Sequence, residues 1–309
     1  MNDIPQVAEK YKGEIAEIVL GKGDYVAGGA KGMPFLSFEN PSKRRPMIAG
    51  EVVDDLEGYP EMAARMFDGR QNDPVEWAVM WKELGMDAVC VRLLSTDPAR
   101  RGASPEDAAE TVRRIADRTG LPVIVCGCGD RAVDGRTMAA VSGAVKDSRL
   151  ILAKAEEEDY KTVSAAAMAN GHVVLGFSNL DINLAKQMNI LLSDFGIDGD
   201  SIIMDPLMAP LGMGLDYSYS VNERIRLAAL SGDGMLQQPM LCDTTSAWDV
   251  GDATSQDDPA LGDPVHRATW WEVMSALAAM MSGADILVMR GPAAADMVKV
   301  YAAELTEAD

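Results

Sequence analysis

Four cysteines and two histidines set the limits of the metal chemistry this 309-residue chain can support. Cys126-Gly127-Cys128 puts two thiols at i and i+2, on one face of a regular strand, which is half a metal site. A four-thiolate zinc or iron–sulfur centre needs two more ligands, yet Cys90 and Cys242 stand singly and no C-x-x-C pair occurs. All four thiols fall near strand ends, so convergence at one mouth stays open; packing thiols is the plainer reading. His172 opens a strand and is expected to be structural, whereas His266 follows a long loop at a helix start, solvated or facing a site. Leu211-Gly212-Met213-Gly214 imitates a phosphate loop without the following Lys-Ser/Thr, so its glycines are read as a tight turn or the close approach of a flat ligand. The remaining candidates are polar residues at strand C-termini: Asp54, Asp55, Arg92, Ser95, Asn179, Asp205, Asp243 and Arg290. A buried carboxylate such as Asp205 can work as acid or base, or simply accept backbone N–H bonds.

The elements that position these residues are eight apolar runs: 46–53, 88–94, 122–128, 150–155, 172–178, 201–205, 235–242 and 285–290. Most are continuously apolar, without alternation, as in parallel strands covered on both faces. Helices separate them. Asp73-Pro74-Val75-Glu76 and Ser104-Pro105-Glu106-Asp107 are N-terminal capping signals, and Trp77, Met80, Trp81 and Leu84 form one apolar stripe. Leu184, Met188, Leu191, Leu192 and Phe195 form another, as do Trp270, Val273, Met274, Leu277 and Met281 before Gly283. Eight strand–helix units predict an α/β fold, a (β/α)₈ TIM barrel over residues 46–309, in preference to a doubly wound sheet. Residues 1–45, with β-like pieces at 14–20 and 33–38, predict a short N-terminal β extension or arm. The stretch Asp243 to Val265, rich in Asp, Gly, Thr and Ser, predicts a long functional loop on the barrel's C-terminal face.

Subtracting 28 Lys and Arg from 48 Asp and Glu leaves a net charge of −20, which argues against nucleic-acid and membrane-surface partners. No apolar run is long enough to span a bilayer and the N-terminus lacks signal-peptide regions, so the expectation is a cytoplasmic protein with reduced thiols. The acidic stretch 252–263 is expected to face solvent or a basic partner.

The segment Leu215-Asp-Tyr-Ser-Tyr-Ser-Val-Asn-Glu-Arg-Ile-Arg-Leu-Ala-Ala-Leu230, running on to Cys242, is distinctive. With Leu93-Leu-Ser-Thr-Asp-Pro98, the stretches 158–168 and 181–192, Ile203-Met-Asp-Pro206 and Ala284-Asp-Ile-Leu-Val-Met-Arg290, it resembles the small (delta) subunit of the corrinoid iron–sulfur protein of the acetyl-CoA decarbonylase/synthase system. The resemblance implies a TIM barrel paired with a large (gamma) subunit carrying an iron–sulfur domain and a cobalamin domain. A corrinoid (cobalamin) shared with that subunit would sit on the barrel's C-terminal face. Its cobalt would take a methyl group from a methyl-tetrahydropterin through a methyltransferase and pass it to acetyl-CoA synthase/CO dehydrogenase. No iron–sulfur cluster would reside on this chain, which would be a non-catalytic subunit. Asn179, Asp205, Met208, Gly212, Gly214, Tyr217, Asp243 and Arg290 are nominated from strand ends and the loops beyond them for the corrinoid-facing surface. Residues 243–264 and 1–45 resemble the family least and are assigned to partner contacts. The alternatives are a pterin-dependent methyltransferase, with Asp205 and Asn179 on the pterin, and a barrel lyase or isomerase using Asp205 and Arg290.

Overall fold

The computed structural model describes residues 8–36, 44–257 and 259–307. Strands β1 (Glu17–Leu20) and β2 (Tyr25–Gly28) pair as an antiparallel hairpin. Eight parallel strands follow: β3 (Met47–Val53), β4 (Ala88–Arg92), β5 (Val123–Cys126), β6 (Ile151–Ala155), β7 (Val173–Phe177), β8 (Ile202–Asp205), β9 (Leu241–Asp243) and β10 (Ile286–Met289). They pair in the order β8-β7-β6-β5-β4-β3-β10-β9. A bridge between Met204 and Met240, with Met204 N donating to Pro239 O at 2.9 Å, joins the two edges and closes a barrel. The helices are α1 (Glu61–Ala64), α2 (Pro74–Glu83), α3 (Pro105–Thr119), α4 (Arg131–Ala144), α5 (Tyr160–Met168), α6 (Ile182–Phe195), α7 (Leu215–Leu230), α8 (Gly251–Thr254), α9 (Pro264–Ser282) and α10 (Pro292–Glu307). None of the described helices is long and apolar enough to cross a membrane.

The caps read from the sequence form as expected. Asp73 accepts from Val75 N and Ser104 from Asp107 N, each with Pro at the first helical position. At β3, Gly50 is required by packing: a Cβ there would lie 2.0 Å from the Trp81 ring, whose Nε1 donates to Glu51 O at 2.8 Å.

Ile18, Leu20 and Ala27 of the hairpin pack against Met47, Ala49, Ile124, Ile151, Ile203 and Ile286, so the hairpin plugs the N-terminal end of the barrel. Only one face of β1 is covered, which explains its alternating exposed and buried residues.

Several expectations are corrected. The run 235–242 is not one strand: Gly234–Leu236 is a 3₁₀ turn capped by Asp233, Pro239 lacks an N–H to donate, and pairing begins with the Met240 bridge, the strand itself at Leu241. Strand-like pairing at 33–38 is replaced by β2, farther upstream; Met33 to Leu36 make a turn, and residues 37 and 38 lie outside the described residues. The stretch after β9 is not an irregular loop but is built from a 3₁₀ turn at Thr245–Asp249, then α8, then Pro259–Leu261, with Trp248 buried beneath it. In α9, Val273 points inward but Trp270, Met274 and Met281 face out. Besides Val273, the buried side is lined by Ala268, Thr269, Glu272, Ser275, Ala276, Ala279 and Met280, mostly small or polar residues.

Candidate functional site

Each barrel strand delivers one side chain at or near its C-terminal end: Glu51, Arg92, Cys126, Lys154, Phe177, Asp205, Asp243 and Arg290, in strand order. Parallel strands place their C-termini at one mouth, which is why residues scattered over the sequence meet there. A register shift between Ala153 and Ala155 re-aims β6 around Lys154.

Glu51 is fully buried and is the centre of one half of this ring. It accepts from Arg92 Nε at 2.6 Å, Arg290 Nε at 2.6 Å and Tyr59 Oη at 3.2 Å. Arg92 also binds Asp243 at 2.6 Å, and Arg290 binds Asp249 at 3.0 Å. Arg290 lies over the Tyr59 ring, 5.0 Å from its centroid. Burial alone would raise the Glu51 carboxyl, but the Arg290 and Arg92 charges outweigh it and hold it below its usual value. The same contest leaves Asp243 well below the ordinary carboxylate range, with Arg92 and Thr245 as its partners.

In the other half, Lys154 Nζ lies 2.9 Å from Asp205 Oδ2 and 4.3 Å from the Phe177 ring centroid. Asp205 also accepts from Leu207 N at 2.9 Å, so it shapes the turn that follows β8. Cys90 and Cys126 approach to 3.7 Å between sulfurs inside the barrel. The Cys126 thiol is lowered by the hydrogen bond from Cys90 and, against burial, by Arg92 and Lys154. An open depression of about 700 Å³ lies over the ends of β4 to β6, bounded by Arg92, Cys126, Gly129, Lys154 and Asp159.

Of the nominated residues, Asp205, Asp243 and Arg290 enter this ring. Met208 does not: it is buried and packs near Asn222 and the core. Asn179 adopts a left-handed backbone (φ 39°) in the turn after β7. Gly212 and Gly214 also have positive φ, and Gly214 precedes α7. No atom lies within 4 Å of where a Gly212 Cβ would stand. Tyr217 is 68% exposed, and its neighbour Met213 is 66% exposed.

Glu51 and Lys154 were not singled out by sequence reasoning. A lone acid in Met-Ile-Ala-Gly-Glu-Val-Val and a lone lysine in Ile-Leu-Ala-Lys-Ala were the available signals, since charges inside apolar strands need partners. His172 is buried and structural, taking Leu150 N at 3.3 Å on Nδ1, while His266 is exposed and accepts from Trp270 Nε1. Among the described residues no group of three or more His, Cys, Asp or Glu is arranged to hold a metal ion.

Comparison with known proteins follows this architecture. Solved dihydropteroate synthases share the fold: the Xanthomonas albilineans enzyme with 4-aminobenzoic acid has a TM-score of 0.57 at 18% identity, over 84% of this chain and 93% of that one. The Vibrio fischeri enzyme has a TM-score of 0.57 at 15% identity, over 90% and 99%. The chain is 31% identical over 320 residues to the acetyl-CoA decarbonylase/synthase complex subunit delta of Methanocaldococcus jannaschii, covering 99% of this chain and 79% of that one. It is 34% identical over 276 residues to the corresponding subunit of Methanopyrus kandleri, covering 88% and 68%. The family model for the CO dehydrogenase/acetyl-CoA synthase delta subunit matches residues 17–303. By that match and these identities, the chain belongs to the family of CO dehydrogenase/acetyl-CoA synthase delta subunits.

Proposed function

We propose that this chain is the non-catalytic subunit that closes one face of a corrinoid site shared with a large (gamma) corrinoid iron–sulfur subunit. In this role it works between a methyl-tetrahydropterin methyltransferase and acetyl-CoA synthase/CO dehydrogenase. The observation that carries the reading is that the mouth spends its charge on itself. Arg92, Arg290 and Lys154 each engage a carboxylate, leaving the ring rigid and satisfied rather than poised as acid, base or nucleophile.

A corrinoid fits such a surface. A flat macrocycle with amide arms needs a broad open face, and this end offers Met213 and Tyr217, both exposed, beside an open glycine turn at Gly212 and Gly214. When bound, a corrinoid supplies a cobalt centre able to accept and give up a methyl group. Tyr217 and Met213 would cover its apolar surface, while the exposed Asn179 would meet its amide arms. Asp205, Asp243 and Arg290 act one layer below, holding the strand ends in place. The ring's packing would keep water and oxidants from crossing the barrel interior.

The test is to purify the chain with and without the large subunit and supply methyl-tetrahydrofolate and free cobalamin. The reading expects no pterin binding and no methyl transfer by the chain alone, and a coloured one-to-one cobalt complex when both subunits are present. Methyl transfer by the isolated chain would instead make it a pterin-dependent methyltransferase.

A further inference from the structure

Among the described residues five that are not glycine hold a left-handed backbone, and three of them stand together in the turns after β7 and β8: Asn179 (φ 39°), Leu180 (φ 61°) and Leu207 (φ 71°). Asparagine tolerates this region, and so does the fourth, Asp68. The fifth, Phe35, packs against the main apolar core. Neither account covers the two leucines. Each is half-buried, so a ligand can reach it, and neither belongs to any of the apolar clusters that form the core.

Chirality makes the left-handed region unfavourable for a residue with a Cβ, whereas glycine enters it freely. The chain does use glycine in this way a few residues on, at Gly212 (φ 82°) and Gly214 (φ 104°), in the loop that Leu207 opens. At 180 and 207 it keeps a large apolar side chain that the core does not use. Strain of this kind persists where neighbouring bonds over-determine the backbone, and it gathers at ligand sites. Here Ser178 N donates to Asp205 O at 3.0 Å, Leu180 N to Pro206 O at 2.9 Å and Leu207 N to Asp205 Oδ1 at 2.9 Å. Phe177 and Asp205 are register partners, so these bonds carry the β7–β8 ladder past the strand ends and fasten both turns into one ledge at the mouth.

We infer that Leu180 and Leu207 are an apolar contact pair for the ligand that covers this mouth, and that their ledge sets where its flat face rests. The inference rests on the corrinoid reading above and adds to it the residues that fix the pose. Leucine offers no hydrogen bond to amide arms, so its contact is with the hydrocarbon surface of the macrocycle and works by removing that surface from water. Because the ledge is tied to both strand ends, it does not have to be ordered when the ligand arrives.

The test measures, by calorimetry, binding of the full chain to the large subunit purified with and without cobalamin, for the wild type, Leu180→Asn and Leu207→Asn. Asparagine keeps the left-handed turn and removes the apolar side chain. Each variant is expected to bind the cobalamin-loaded subunit about five- to tenfold more weakly, the worth of a half-buried leucine. Each should bind the empty subunit as the wild type does, and unfold in urea at a midpoint close to that of the wild type. Undiminished affinity for the loaded subunit would overturn the proposal. Equal weakening toward the loaded and empty subunits would also overturn it, since the leucines would then touch protein. A variant that unfolds far earlier, or fails to fold, would make them packing residues and overturn it as well. If the wild type itself does not bind the loaded subunit, both this inference and the corrinoid reading beneath it fall.

Discussion

Arg290 Nε lies 2.6 Å from Glu51 Oε2, a contact between the last and first barrel strands that spans 239 residues of sequence. With Arg92 on its other side, Glu51 ties three strands together at the mouth, and the pairing of β10 with β3 and of β3 with β4 fixes where those charges stand. Removing Glu51 leaves Arg92 on Asp243 and Arg290 on Asp249, but takes the acceptor from Arg92 Nε, Arg290 Nε and Tyr59 Oη.

Glu51→Ala is therefore expected to lower stability by about 3–5 kcal/mol, the range for breaking a buried ion pair. Urea unfolding of the two proteins checks this. A variant within experimental error of the wild type would mean that the ring is not a structural tie. The sign with pH follows from the lowered carboxyl: Glu51 is held below its ordinary value of 4.5, so its contribution is present above that value and is lost as pH falls through the folded value.

Glu272 behaves oppositely. Burial pushes its carboxyl up to about 7 from 4.5, even though Arg290 N, Gly291 N and Trp248 Nε1 all donate to it. A raised value contributes stability that is complete below 4.5 and fades as pH rises through about 7. Trp248 donates at 2.7 Å and reports the change directly. Its fluorescence should titrate with a midpoint near the raised value, and the transition should vanish in Trp248→Phe; a flat wild-type profile from mildly acidic to neutral pH would contradict this.

Gly50→Ala should destabilise the chain by about 1–3 kcal/mol or more, the usual cost of overpacking, because the new methyl would fall on the Trp81 ring. Trp270→Ser, on the outward face of α9, should change stability by no more than about 0.5 kcal/mol. Thermal unfolding of the pair separates the buried tryptophan contact from the exposed one. If Trp270→Ser proved the more damaging, the orientation of α9 would be wrong.

Those two tryptophan stripes also mark how far the sequence could be read. Asp73-Pro74 and Ser104-Pro105 named their helices because a cap is a local bond between residues a turn apart, and the continuous apolar runs named the parallel strands because both faces are covered. The orientation of α9 was hidden, since its inward face is mostly Ala, Ser, Thr and a buried Glu, with only Val273 and Met280 as large apolar residues, and that Glu's partners are Trp248 and the backbone just after β10. Strand ends pointed to Asp205, Asp243 and Arg290, but Glu51 and Lys154 were missed: a charge inside a strand becomes meaningful only when its partners, up to 239 residues away, are known. Met208 failed for a related reason, because the turn set by Asp205 folds it back into the core.

Cys126 borders the mouth depression between Arg92 and Lys154, which favour its thiolate, whereas Cys242 is fully buried and its thiol is pushed up. Alkylation of the native chain followed by peptide mass mapping should label Cys126 before Cys242, and Lys154→Met should slow the labelling of Cys126. Equal rates at both cysteines would contradict the charge arrangement described.

The role proposed for this barrel is to shield a corrinoid held by a larger partner. It is tested most directly by following the visible absorption of reduced Co(I) on the large subunit after limited exposure to oxidant, with and without this chain. Markedly slower loss of Co(I) is expected when the chain is bound, with a partial return to the fast rate for Tyr217→Ala and Met213→Ala together. An oxidation rate that is the same in the presence and absence of a stoichiometric amount of this chain would contradict it.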